Sequence, residues 1–164
     1  MDNTVIHPFS PVWNENSKIL LLGSIPSPKS RENNFYYAHP RNRFWPVMEN
    51  LFNVKLESVS KKKDFLLNNR IALWDVLKSC EIDGAADGSI KNPQPNDIKS
   101  IVSASSIDTV FTTGSAANKF FSRFIEEDIS LKAVSLPSTS PANARMSLDT
   151  LTESYRVILT ALGL

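Results

Sequence analysis

Lys18–Gly23 reads KILLLG, and this stretch decides the fold. Its apolar side chains fall on successive positions, so the strand it predicts is buried on both faces. Ile71–Val76 (IALWDV), Thr109–Thr113 (TVFTT) and Ala133–Leu136 (AVSL) share that character. Helical patterns lie between and after them: around Pro46–Phe52, Ser60–Leu67, Pro95–Ala104, Ser115–Glu126 and Ser147–Leu162. In the last, Leu148, Leu151, Tyr155, Ile158, Leu159 and Leu162 keep helical spacing, with Ser147 placed to cap. Strands alternating with helices predict an α/β domain: three α/β/α layers around a central four-stranded, mainly parallel sheet. Ligand sites in such sheets lie beyond the carboxyl ends of the strands. The informative residues should therefore follow Gly23, Trp74, Thr113 and Leu136.

The chain has 164 residues, which predicts one domain over 1–164 with a core of its own. A net charge of +1 excludes a uniformly basic nucleic-acid binder. Locally the balance differs: Lys29, Arg31, Arg41 and Arg43 stand against Glu32 alone, enough for a phosphate-binding patch or for a solvated face. Cys80 is the single cysteine, which excludes an internal disulfide and any cysteine-ligated zinc or iron–sulfur site. With only His7 and His39 besides, no metal and no other cofactor is expected. The longest apolar run of the first strand, Ile19–Leu22, is too short to span a membrane, and Met1–Ser17 lacks a basic-then-apolar signal pattern. A cytoplasmic monomer is expected.

After the first strand, Gly23–Pro28 reads GSIPSP. Gly23 permits a sharp turn and close approach to a ligand, and Pro26 and Pro28 stiffen the loop beyond it. Asn33–Trp45 then reads NNFYYAHPRNRFW, a run of aromatics interleaved with two arginines, a histidine and three asparagines. Rings stack on bases and guanidinium groups hold phosphates, so this mixture suits nucleic acid. Phe44 and Trp45 are assigned to the core beneath the loop.

Two motifs carry a resemblance. Ala38-His39-Pro40-Arg41-Asn42-Arg43-Phe44-Trp45 resembles the AHPxNRFW stretch of mismatch-specific uracil and thymine glycosylases. Gly23-Ser24-Ile25-Pro26-Ser27, Lys29-Ser30-Arg31 and Tyr36-Tyr37 bring it nearer to hypoxanthine-DNA glycosylases. Leu136-Pro137-Ser138-Thr139-Ser140-Pro141-Ala142-Asn143-Ala144 is similar to that branch's second motif. The resemblance implies the uracil-DNA glycosylase fold and a monofunctional enzyme acting on damaged bases in double- or single-stranded DNA. Mismatch-specific enzymes resemble GINPG after the first strand, with an asparagine acting on water. Ile25 stands there in this chain. In the hypoxanthine branch the asparagine of the second stretch takes that role, which implies Asn42.

Such an enzyme must extrude the nucleotide, stack and read the base, and place one water at C1′. Asn42 offers an amide that both accepts from and donates to water. It also reads as a cap for the helix near Pro46, although it stands early for one. Ser24 is the reserve holder of the water, and Ile25 and Pro26 are expected against the base. Tyr37 reads either as the platform under the base or as a half-buried surface tyrosine. Asp75 reads either as an acceptor for the base edge or as a cap or ion-pair residue. Lys29, Arg41 and Arg43 are candidates for phosphate. Ser138, Ser140, Pro141, Ala142, Asn143 and Arg145 form a second candidate DNA-binding loop; an ordinary strand-to-helix loop is the plainer reading. Hydrolysis of deoxyinosine is the leading expectation. Uracil or mismatched uracil is its rival, and a non-catalytic DNA-binding module is the alternative of another class.

Overall fold

The expected sheet forms, and KILLLG lies at its centre. In the computed structural model, which describes residues 3–164, β2 (Ile19–Gly23) is buried at every position and pairs in parallel with β3 (Ile71–Asp75) and β6 (Thr109–Thr113). A fourth strand, β7 (Ala133–Leu136), pairs in parallel with β6 and completes the order β3-β2-β6-β7. Successive side chains of a strand point to opposite faces. Accordingly Ile19 and Leu21 join one apolar cluster, and Leu20 and Leu22 the other. The first cluster is closed by α2 (Phe44–Phe52), α3 (Val59–Asn68), α7 (Leu148–Tyr155) and α8 (Val157–Ala161) through Val47, Met48, Leu66, Leu151, Tyr155 and Ile158. The second is closed by α4 (Ile98–Ser103) and α5 (Ser115–Phe124) through Ile98, Ile101, Phe120 and Phe121. The result is the three-layer α/β/α arrangement. A short α6 (Glu126–Ile129) follows α5.

Three features depart from the expected elements. The last helix is two, because hydrogen bonds tighten at Arg156: its N–H reaches Glu153 and its carbonyl accepts from Leu159. A six-residue helix, α1 (Pro28–Asn33), forms between the two motif-bearing loops, started by Pro28 and the Ser27 hydroxyl cap. A second sheet, antiparallel, joins β1 (Thr4–Ile6), β4 (Leu77–Glu81) and β5 (Lys91–Pro95). Only Val76 separates β3 from β4, so the chain passes directly from the parallel sheet into this small one. Because β5 is a strand, the helix expected from Pro95 starts only at Ile98, capped by Asp97.

Candidate active site

The carboxyl ends of β2, β3, β6 and β7 meet around a cavity of about 250 Å³. Gly23, Ser24, Ile25 and Pro26 enter it from β2, Asp75 from β3, Thr113 from β6, and Ser138 to Ala142 from the loop after β7. Tyr37, His39 and Asn42 enter from the loop before α2, and Gly84, Ala85 and Asp87 from the hairpin between β4 and β5.

Gly23 is required by its neighbour across the sheet. It pairs with Asp75 in the β2–β3 register, and a Cβ on Gly23 would lie 2.5 Å from Asp75 Oδ1 and 3.1 Å from the Tyr37 hydroxyl. Asp75 is buried, and its Oδ2 accepts from His7 Nε2 at 2.7 Å. The His7 side chain is only 3% exposed, its ring packs on Phe9 and Tyr36, and its Nδ1 has no partner among the described residues. Asp75 is thus held from behind, with Oδ1 left on the side of Gly23.

Tyr37 adopts a left-handed backbone conformation (φ +52°) that non-glycine residues rarely hold. Two contacts hold it there. Its ring stacks on Phe44 at 4.1 Å between centroids and 15° between planes, and its hydroxyl lies 2.9 Å from Thr113 Oγ1. Burial first, then the charge of Asp75, pushes the phenol well above its ordinary range, so it stays neutral.

Asn42 lines the cavity and also caps. The helix α2 begins at Phe44, earlier than its proline suggests, and Asn42 Oδ1 accepts from the Phe44 N–H at 2.9 Å. That bond fixes the amide and leaves Nδ2 toward other partners. His39 Nδ1 accepts from the Arg41 N–H at 3.0 Å, so in a neutral ring the Nε2 carries the proton and donates.

The charged candidates part company. Arg43 is engaged within the protein: its guanidinium donates to the carbonyls of Met146, Ser140 and Asn143. Its N–H donates to Thr139 as well, so Arg43 straps the second motif to the first. The structure gives that residue a bracing duty which the sequence did not suggest. Lys29 pairs with Glu32 on α1 at 3.0 Å and lies outside the cavity. Arg41 and Arg145 are exposed. Asn143 lies outside the cavity too, its amide bonding the Ser138 carbonyl at 2.9 Å, while the Ser138 and Ser140 hydroxyls accept from Ser140 and Ala142 N–H groups. The loop after β7 is rigid by its own bonds and presents Ser138, Ser140, Pro141 and Ala142 to the cavity.

Thr113 and Asp87 line the cavity and His7 backs Asp75; no sequence motif marks His7 or Asp87. Thr113 ends a predicted strand and could have been found by position. His7 and Asp87 arrive on the small sheet, which carries no apolar pattern to announce it.

Comparison with known proteins agrees with this geometry. The pattern of the Uracil DNA glycosylase superfamily matches residues 10–161. A protein named hypoxanthine DNA glycosylase from Methanosarcina acetivorans is 32% identical over 142 residues, 85% of this chain and 89% of that one. A protein of the same name from Methanosarcina barkeri is 38% identical over 90 residues, 54% of this chain; the match spans a little over half (57%) of that protein's length. The solution NMR structure of a Methanosarcina acetivorans protein, described as a candidate uracil DNA glycosylase, superimposes with a TM-score of 0.78 at 29% identity, covering 94% of this chain and 99% of that one. With its parallel sheet, its two motif loops and residues 10–161 all in agreement, the chain belongs to the uracil DNA glycosylase superfamily, a family of DNA glycosylases.

Proposed function

We propose that the protein removes deaminated bases from DNA, deoxyinosine first, by drawing the nucleotide into this cavity and hydrolysing its N-glycosidic bond with water. The observation that carries the reading is Asp75: a buried carboxylate at the cavity, held through Oδ2 by His7, with Oδ1 free of partners among the described residues. A carboxylate accepts and does not donate. It suits the N1–H of hypoxanthine and opposes adenine, whose N1 is itself an acceptor. Tyr37, backed by Phe44, supplies a rigid ring for stacking the base. Asn42 holds the attacking water, and Ile25 and Pro26 close the apolar wall. Exposed Arg41 takes the phosphate role, since Arg43 is engaged by carbonyls, with Arg145 and the Ser138–Ala142 loop beside the DNA strand. The names of the Methanosarcina relatives support hypoxanthine as the base. The protein acts alone, in the cytoplasm, on double- or single-stranded DNA.

Uracil is the second reading, because its N3–H meets the same acceptor. Asp75→Asn separates the two uses of this residue. The asparagine keeps an oxygen for His7 or the base but gains a donor, so preference among deoxyinosine, deoxyuridine and deoxyadenosine substrates should flatten by about tenfold or more. That is the scale of one hydrogen bond to a charged group, about 1.5–3 kcal/mol. Equal loss on every substrate together with a lowered melting temperature would make Asp75 a structural residue and remove the main support for this reading.

A further inference from the structure

We propose that Asp87, on the hairpin between β4 and β5, is the catalytic base that takes the proton from the attacking water. The inference rests on the glycosylase reading and adds to it the one group Asn42 cannot replace, since an amide orients water but does not accept its proton.

The cavity offers few groups that could do so. Asp75 is engaged by His7 and faces the base. His39 has its Nδ1 lone pair occupied by the Arg41 N–H, leaving a donor on the other nitrogen. Tyr37 holds its proton. Asp87 remains: its Oδ1 accepts from the Ser24 hydroxyl at 3.2 Å, and Oδ2 has no partner among the described residues. The short turn that carries it is braced. The Ser89 hydroxyl donates to the Ala86 carbonyl at 2.6 Å and accepts from the Asp83 N–H at 2.8 Å. Asp87 thus stands on a fixed support at the cavity rim and is tied to the first motif loop through Ser24.

Its surroundings tune it toward proton transfer. Asp87 is exposed at the cavity rim; the partial desolvation it meets there still raises its carboxyl above the ordinary aspartate value, the Ser24 hydroxyl opposes this, and the charge of Asp75 adds to it. A carboxyl shifted in this direction accepts a proton more readily in the transition state. The titratable groups that act on it or are acted on by it are Asp75, with its partner His7, and the thiol of Cys80; Tyr37 and His39 line the same cavity. In the reaction, water oxygen bonds to C1′ and the C1′–N bond breaks, its electron pair leaving with the base. The water proton passes to Asp87 Oδ2 and thence to solvent, and the departing base is protonated from solvent.

Single-turnover base release from a deoxyinosine duplex, followed from acid to neutral pH, tests this. The wild-type rate should rise with pH as Asp87 loses its proton and then level off. Asp87→Asn, which keeps an oxygen for Ser24, should be slower by about 10² or more and lose the rising limb, with duplex binding within a few-fold. Ser24→Ala should move the limb to higher pH, because the bond that lowers the Asp87 carboxyl is gone. An Asp87→Asn enzyme that keeps the wild-type rate, or one that is slower with the same pH limb, overturns the assignment. A wild-type protein that releases no deaminated base overturns the glycosylase reading itself, and the assignment with it.

Discussion

Asn42→Ala should slow single-turnover release of hypoxanthine by about 10²–10³, the scale of losing one preorganised polar group, and leave binding to the deoxyinosine duplex within a few-fold. Single-turnover conditions are required, since slow departure of the abasic product would hide the chemical step. The residue has two duties in the structure. Its Oδ1 caps α2 through the Phe44 N–H, and its amide lines the cavity. Loss of the cap alone costs about 0.5–2 kcal/mol, a modest fall in melting temperature. That fall should accompany the kinetic loss. A folded Asn42→Ala protein that is less stable but cuts at the wild-type rate would reduce Asn42 to a cap, and the water would then need Ser24 or the backbone near Ile25.

Gly23→Ala tests the geometry behind Asp75. The new methyl would stand 2.5 Å from Asp75 Oδ1, where no real contact exists, and Asp75 cannot swing back because Oδ2 is tied to a buried His7. The φ of Gly23 is not in the left-handed region, so the effect is steric and not conformational. Overpacking of this kind costs about 1–3 kcal/mol. It also displaces the carboxylate from the base edge, so base release should fall by about 10- to 100-fold, the equivalent of one charged hydrogen bond. A Gly23→Ala protein with unchanged melting temperature and unchanged rate would show that Asp75 is free to move and does not define the base edge.

The parallel sheet was legible because its strands announce themselves. Ile71, Ala72 and Leu73, like Ile19 to Leu22, are buried on both faces and leave no polar period to confuse with helix. The expected strands match the observed ones to within a residue at each end. The loop after Gly23 and Asp75 could be placed because strand ends in such a sheet converge, whereas Tyr37 and Asn42, on the loop before α2, stood out only through the resemblance of the Ala38–Trp45 stretch. The small antiparallel sheet was not legible. Its β5 reads KNPQP, polar and with two prolines, and its pairing with β4 is irregular. His7 and Asp87 come to the site only through that sheet, so local pattern could not place them. The bracing duty of Arg43 was hidden for a different reason: a guanidinium suits phosphate and clustered carbonyls equally, and only the fold brings Ser140, Asn143 and Met146 to it.

If these residues hydrolyse the glycosidic bond of deoxyinosine with water alone, the free base must appear without any metal. The most direct measurement is chromatographic detection of free hypoxanthine from a deoxyinosine duplex, with EDTA present. The expected result is stoichiometric release of the free base, an intact strand carrying an abasic site, and the same rate with or without chelator. Activity that appears only on adding a divalent metal, or a duplex that is bound and never cut, would contradict it.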